Sequence, residues 1–291
     1  VENANGWRTR SLTVLRRNGR RRWFGYLLAA LGLTLAPGLA SAAGVLPAAM
    51  VVPHMAGYSM QVLPTGSGGG MLSGRGVLQL EWRRDCDGMA YTQHSILTLN
   101  NDNGAVFDST VRIDSWEAAD ASRFRFTLES SIDGEITEEV NGLAERAGDG
   151  TVTVRYTLPE AGATVMPATT VFPWQQMRSV IAGAREGRKQ QWYRLLRGEG
   201  EGDPVGVSVH IAGPGAPPEG LGAHGDLLPE EGWRVVSAFY EDSVAAEPKF
   251  EISETVLASG VITRAEIAYP DMIMRLKLER LKRGGLPDCS G

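Results

Sequence analysis

Cysteine occurs twice and histidine four times in the 291 residues, and each scarcity excludes a class of chemistry. His54, His94, His210 and His224 stand singly, with no H-x-H or HExxH pattern and no neighbouring cysteine pair, so no metal centre is expected. The G-x-S-x-G nucleophile motif is absent. The glycine cluster at 66–70 precedes a strand-like segment and has no following Lys-Ser/Thr, so it is not a phosphate-cradling loop, and no cofactor is expected. Long hydrophobic runs are also scarce. The one that stands out, Trp23–Ala36, is shorter than the roughly 20 residues that span a bilayer as a helix.

That run follows Arg16, Arg17, Arg20, Arg21 and Arg22 and precedes Ala40-Ser41-Ala42, which is the anatomy of a secretory signal peptide over residues 1–42. "RRWF" resembles a twin-arginine signal, but basic leaders of either export route contain such pairs. Lipid anchoring requires cysteine at the first mature position, where this chain has alanine. A product cleaved after Ala42, without stable membrane insertion and located in the periplasm, is therefore expected. Cleavage removes seven of 29 basic and one of 34 acidic residues, leaving 22 against 33, a net charge near −11. Nucleic acid is excluded as a partner by that balance, because its affinity comes from Lys and Arg neutralising phosphates.

In an oxidising compartment, two cysteines favour one disulfide over a metal site or a catalytic thiol. Cys86 lies between Asp85 and Asp87, which disfavour a thiolate. A Cys86–Cys289 bridge closes a loop of about 200 residues, for which chain entropy gives at most roughly 5 kcal/mol. It is expected to staple the tail to an early strand and to close a long β-structure near its two ends.

Alternation of period two dominates residues 43–291, read as a single domain. Leu78, Leu80 and Trp82 share a face, as do Phe124, Phe126 and Leu128, Val152, Val154 and Tyr156, and Leu276 and Leu278. Hairpin turns are signalled by Asn103-Gly104, Asp133-Gly134, Asp149-Gly150 and Ser259-Gly260. Thirteen strands are expected, near 55–63, 74–85, 89–99, 105–117, 122–131, 134–146, 151–157, 189–197, 204–211, 232–240, 249–257, 260–268 and 271–281. So many strands cannot stay flat and open, so a mainly β fold is predicted, a large curled antiparallel sheet forming a spiral or barrel in preference to a two-sheet sandwich.

"TTVFPWQQMRSVIAGAREGRK" breaks the period. Trp174, Met177, Ile181 and Ala184 fall at three- and four-residue spacing, with Thr170 as candidate cap, Pro173 in the first turn and Gly187 past the end. One amphipathic helix over 173–186 is expected to pack in the mouth or interior of the sheet. Trp116, Phe172, Trp174, Met177 and Ile181 are the candidate ligand or partner surface, with Trp82, Trp192 and Trp233 as further aromatic residues that line a cavity or fill a core. Glu138 and Glu139 point to opposite faces of a strand and make no acid–base pair.

"DCDG" in an early strand, "DSWEAADASRFRFTLESSIDGEITEEVNGLA", "FPWQQMRSVIAGAREGRK" and the terminal "LPDC" occur in an order that resembles the EipB-type cell-envelope integrity proteins of alphaproteobacteria, from about Tyr58 to Cys289. The resemblance implies a periplasmic β-spiral similar to lipoprotein-carrier folds, with the family's disulfide on Cys86 and Cys289, and it transfers no catalytic residue. Together these readings give a non-enzymatic protein that supports envelope integrity by binding an envelope protein, a lipid or a lipoprotein. The alternative is a carrier that shields an acyl chain in the concave face of the sheet. An envelope hydrolase would need a catalytic pair assembled across strands.

Overall fold

The computed structural model describes residues 51–65, 73–199, 204–222, 224–241 and 245–289; the leader region lies outside them. Along the chain run β1 (His54–Pro64), β2 (Ser73–Arg84), β3 (Gly88–Asn100), β4 (Val106–Ala118), β5 (Arg123–Ile132), β6 (Glu135–Arg146), β7 (Val152–Leu158), β8 (Gly162–Met166) and β9 (Thr170–Val171). The helix α1 (Pro173–Arg185) comes next, then β10 (Gln190–Leu195), β11 (Val205–Pro214), β12 (Gly232–Tyr240), β13 (Phe250–Leu257), β14 (Ile262–Ala268) and β15 (Met272–Arg283). All 15 strands belong to one sheet, in the order 8-7-6-5-4-3-2-1-15-14-13-12-11-10-9. The fold is mainly β with one long helix, as expected. The four anticipated hairpin turns place Gly104, Gly134, Gly150 and Gly260 at positive φ, which a side chain would oppose.

The order of strands explains the curl. β1 sits in the middle and pairs with β2 on one side and β15 on the other, so each half of the chain builds outward by successive antiparallel neighbours. The two edge strands, β8 and β9, are consecutive in sequence, with only Pro167, Ala168 and Thr169 between them. Four Cα steps span at most about 15 Å. A 15-stranded sheet whose edges lie that close must be rolled almost into a barrel.

Among the described residues, β9 and β10 are the one parallel pair, with Thr170 opposite Arg194 and Val171 opposite Leu195. Parallel neighbours need a crossover. Helix α1 is that crossover, so the irregularity in the sheet and the break in sequence period have one cause. β8 and β9 were absent from the thirteen expected strands: β8 buries only Met166 of its five residues, and β9 has two residues, too few for any period.

Inward side chains form three apolar clusters. The first surrounds Tyr58, Met60, Leu78, Leu80, Trp82 and Leu278; the second surrounds Phe124, Phe126, Leu128, Val154 and Tyr156; the third surrounds Val207, Val209, Ile211, Val235 and Phe239. The segment running into and through α1 reaches all of them, with Trp174 in the first, Phe172 in the second, and Val180, Ile181 and Ala184 in the third.

Candidate functional site

The seat of α1 is built from its amino end. A helix leaves its first N–H groups without intrahelical acceptors. Here the cap residue is Phe172, extended at φ −101° and ψ 164° and carrying no side-chain acceptor, and Pro173 has no N–H. Trp174 and Gln175 therefore donate elsewhere, to the carboxylate of Glu117 on β4, at 2.8 and 3.0 Å. Thr170, the cap expected from sequence, lies in β9 and does not perform that role. A carboxylate from a distant strand thus caps the helix and meets the positive end of its dipole.

Glu117 is 3 % exposed. Loss of hydration pushes its pKa up to about 7, against the pull of the two backbone N–H groups and of Arg178 and Arg146. The alternation of β4 explains its position: Ile113 is buried on the same parity, and Glu117 stands opposite Phe124 across the ladder. Trp116, its neighbour in sequence, has the opposite parity. It lies opposite Arg125 on the outer face, with that guanidinium 4.9 Å from its ring centre.

Gly88 makes room for this arrangement. A Cβ there would come within 2.4 Å of the Glu117 carbonyl oxygen and 2.7 Å of the Trp116 indole. The "DCDG" and "SWE" segments are therefore in contact, and the Ala119 N–H donates to the Asp87 carbonyl at 2.8 Å.

At the rolled edge, the Arg146 guanidinium donates to the carbonyls of Ala121, Gly150, Ala168 and Thr170 at 2.8 to 3.2 Å. It also lies 5.1 Å from the centre of the Phe172 ring. One residue of β6 thus binds the short link between the sheet edges to the start of the helix. At its other end α1 closes with Gly187 at φ +78°, whose N–H reaches the Ala184 carbonyl while that of Arg188 reaches Gly183.

Of the residues expected to form a ligand or partner surface, Phe172 and Ile181 are fully buried, Trp174 is 8 % exposed and Met177 is partly buried against the core. They turn inward and are divided among the three clusters. Trp116 does not join them. The apolar stripe of α1 faces the interior, where three such side chains contribute about 1.5–3 kcal/mol each. Glu117 and Arg146, which hold this plug, were not among the expected site residues. The available signal was parity, since a carboxylate that continues an inward apolar row must find a partner.

A second inward carboxylate, Glu254 on β13, is pushed up to about 7 by desolvation. Tyr58 and Tyr91 are close enough for its charge to raise their pKa values further, beyond what burial does. Glu117 is committed to backbone N–H groups, and the Tyr91 hydroxyl donates to Gln93 at 2.6 Å.

Cys86 and Cys289 are joined, with Cα atoms 5.5 Å apart and a sequence separation of 203. The bridge does not sit where a roll would be held shut. Cys86 is in the β2–β3 hairpin, and the tail reaches it across the start of β1, where the Gly284 N–H donates to the Pro53 carbonyl at 2.9 Å. The disulfide therefore pins the β15–β1–β2 seam at the centre of the sheet, whereas the edges meet at mid-chain under Arg146 and α1. Among the described residues, no helix is long and apolar enough to cross a membrane.

Comparison with known proteins agrees with this architecture. The sequence is 25 % identical over 250 residues to the cell envelope integrity protein EipB of Brucella abortus (strain 2308), covering 84 % of this chain and 88 % of that protein. In fold it resembles the crystal structure of a β-barrel-like protein of the domain of unknown function DUF1849 from Brucella abortus, at a TM-score of 0.75 and 23 % identity, covering 81 % of this chain and 99 % of the other. The profile of the EipB-like family matches residues 46–283, and with the match extending from before the first strand to the end of the last, the chain belongs to the EipB-like family.

Proposed function

We propose that this protein acts in the periplasm, where it supports the integrity of the cell envelope by binding an envelope partner, without catalysis. The observation that carries the reading is the plugged interior. Phe172, Trp174 and Ile181 close the three inner clusters, and Glu117, the buried carboxylate that meets the start of α1, caps that helix. Support for the envelope role comes from the relative whose name states it. The leader in residues 1–42 supports the periplasmic address, and residues 43–291 act as one domain in this reading.

Carriage of an acyl chain is the weaker reading, because a ligand in the lumen must displace α1 and replace roughly 5–9 kcal/mol of apolar burial by those three side chains. Complementation tests the non-catalytic reading. In a strain lacking the gene and sensitised to detergent, Glu117→Gln and Glu254→Gln each restore resistance to the level of the native gene. Loss of complementation by either variant, at native abundance and with a melting temperature no lower than native, would point to chemistry and sink the reading.

A further inference from the structure

The outer face of the sheet, on the far side from the plug, carries a trough of about 930 Å3 across β11 to β15, β1 and β2. Its floor is set by register. One row of outward residues runs Ser59, Lys277, Arg264, Thr255, Arg234, each opposite the next across a strand pair. A parallel row runs Arg75, Gln61, Arg275, Glu266, Ser253.

Five cations therefore line one depression on a chain with more acidic than basic residues, 34 against 29. Two of them have carboxylate partners: Arg275 meets Glu266 at 2.8 Å, and Lys277 meets Glu279 at 3.3 Å. Arg75, Arg234 and Arg264 have none among the described residues. Lys277 stands directly opposite Arg264, an arrangement that costs stability unless an anion lies between them. Arg264 is held in place, its Nε donating to the Thr255 hydroxyl at 3.2 Å, and that threonine is 2 % exposed although it faces outward.

Spacing specifies the ligand further. Adjacent strands lie about 4.8 Å apart, so Lys277 and Arg264 can share one anionic group, and Arg234, two strands beyond Arg264, meets another roughly 10 Å away. Between them lie the hydroxyl group of Ser253 and, at the β1 end, Ser59 and the Gln61 amide, which suit a hydroxylated scaffold. Guanidinium groups bind phosphate oxygens in pairs, with strong charge-assisted hydrogen bonds. We propose that this trough binds a phosphate-bearing anion with at least two charged groups, either the headgroup of a membrane lipid or a soluble phosphate compound.

The test uses the purified protein with two probes: phosphatidylcholine vesicles with and without cardiolipin, whose headgroup carries two phosphates, and inorganic tripolyphosphate followed by calorimetry. Binding to vesicles only when cardiolipin is present identifies a lipid source, and binding to tripolyphosphate without vesicle binding identifies a soluble one. In either case, Arg234→Gln with Arg264→Gln weakens binding by about tenfold or more for each guanidinium removed. Arg112→Gln, on the outer face of β4 beyond the trough, leaves it unchanged. Should the double variant not fold, Lys277→Gln, whose side chain is 76 % exposed, gives the same reading by itself. Failure of both probes to bind, or native affinity in a folded trough variant, would overturn the proposal.

Discussion

Replacing Glu117 by glutamine keeps the shape of the helix cap and removes its ionisation, so the consequence depends on pH in a way that can be worked out. Folding raises the pKa of Glu117 from its ordinary value of 4.5 to about 7. A carboxyl group with a raised folded-state pKa contributes its full stabilisation below about pH 4.5 and loses it as pH rises through 7, because the unfolded chain ionises first. A shift of about 2.5 pKa units at 1.36 kcal/mol each is worth about 3 kcal/mol. Glu117→Gln has no such loss. The variant should match the native protein to within about 1 kcal/mol near pH 5, the cost of one poorer hydrogen bond, and gain about 3 kcal/mol relative to it by pH 8. For a chain of this size that relative gain is roughly 6–12 °C in melting temperature.

Urea unfolding of both proteins at pH 5, 6, 7 and 8, with the disulfide intact, measures the difference. Glu254, also pushed up to about 7, and His54, lowered by burial, titrate equally in both proteins and cancel. Parallel stability curves would refute the burial argument. A variant that loses ground as pH rises would show that the two N–H donors, the helix dipole and the cations Arg146 and Arg178 outweigh desolvation.

The remaining predictions concern the plug and the seam. Arg146→Met, which retains the bulk of the side chain and removes donors to four carbonyls, should cost about 3 kcal/mol or more in urea unfolding, since charge-assisted bonds are worth about 1.5–3 kcal/mol each and are only partly replaced by water. Trp174→Ala and Ile181→Ala should cost about 3–5 and 2–5 kcal/mol respectively, with increased binding of a hydrophobic dye as the lumen opens. Cys86→Ser, Cys289→Ser and the double variant should lower the melting temperature by equal amounts, corresponding to at most about 5 kcal/mol; equal melting of oxidised and reduced native protein would show that the bridge does not restrain the unfolded chain.

What sequence reveals here follows from how local each signal is. The long strands alternate cleanly because one face packs on the clusters, and the helix begins at Pro173 and ends just before Gly187, so these elements are legible. Pairing of the two cysteines is legible by count and compartment, but its mechanical role is not. That role depends on β1 pairing with β15, an association of chain ends that no local pattern encodes. β8 and β9 escape because they are short and flanked by prolines, and their places depend on β7 and β10. Glu117 escapes for a related reason: nothing near it in sequence distinguishes a helix cap acting 57 residues away from any other acidic residue on a strand.

Hydrogen exchange across α1 tests most directly whether this chain's own helix is a permanent part of the interior. If it is, the amides of Val180 and Ile181 exchange only with global unfolding, at the free energy that protects β1 and β2. Exchange through an opening several kcal/mol less costly than that would show a helix that leaves its seat in the native protein, and would return the lumen to the list of binding sites.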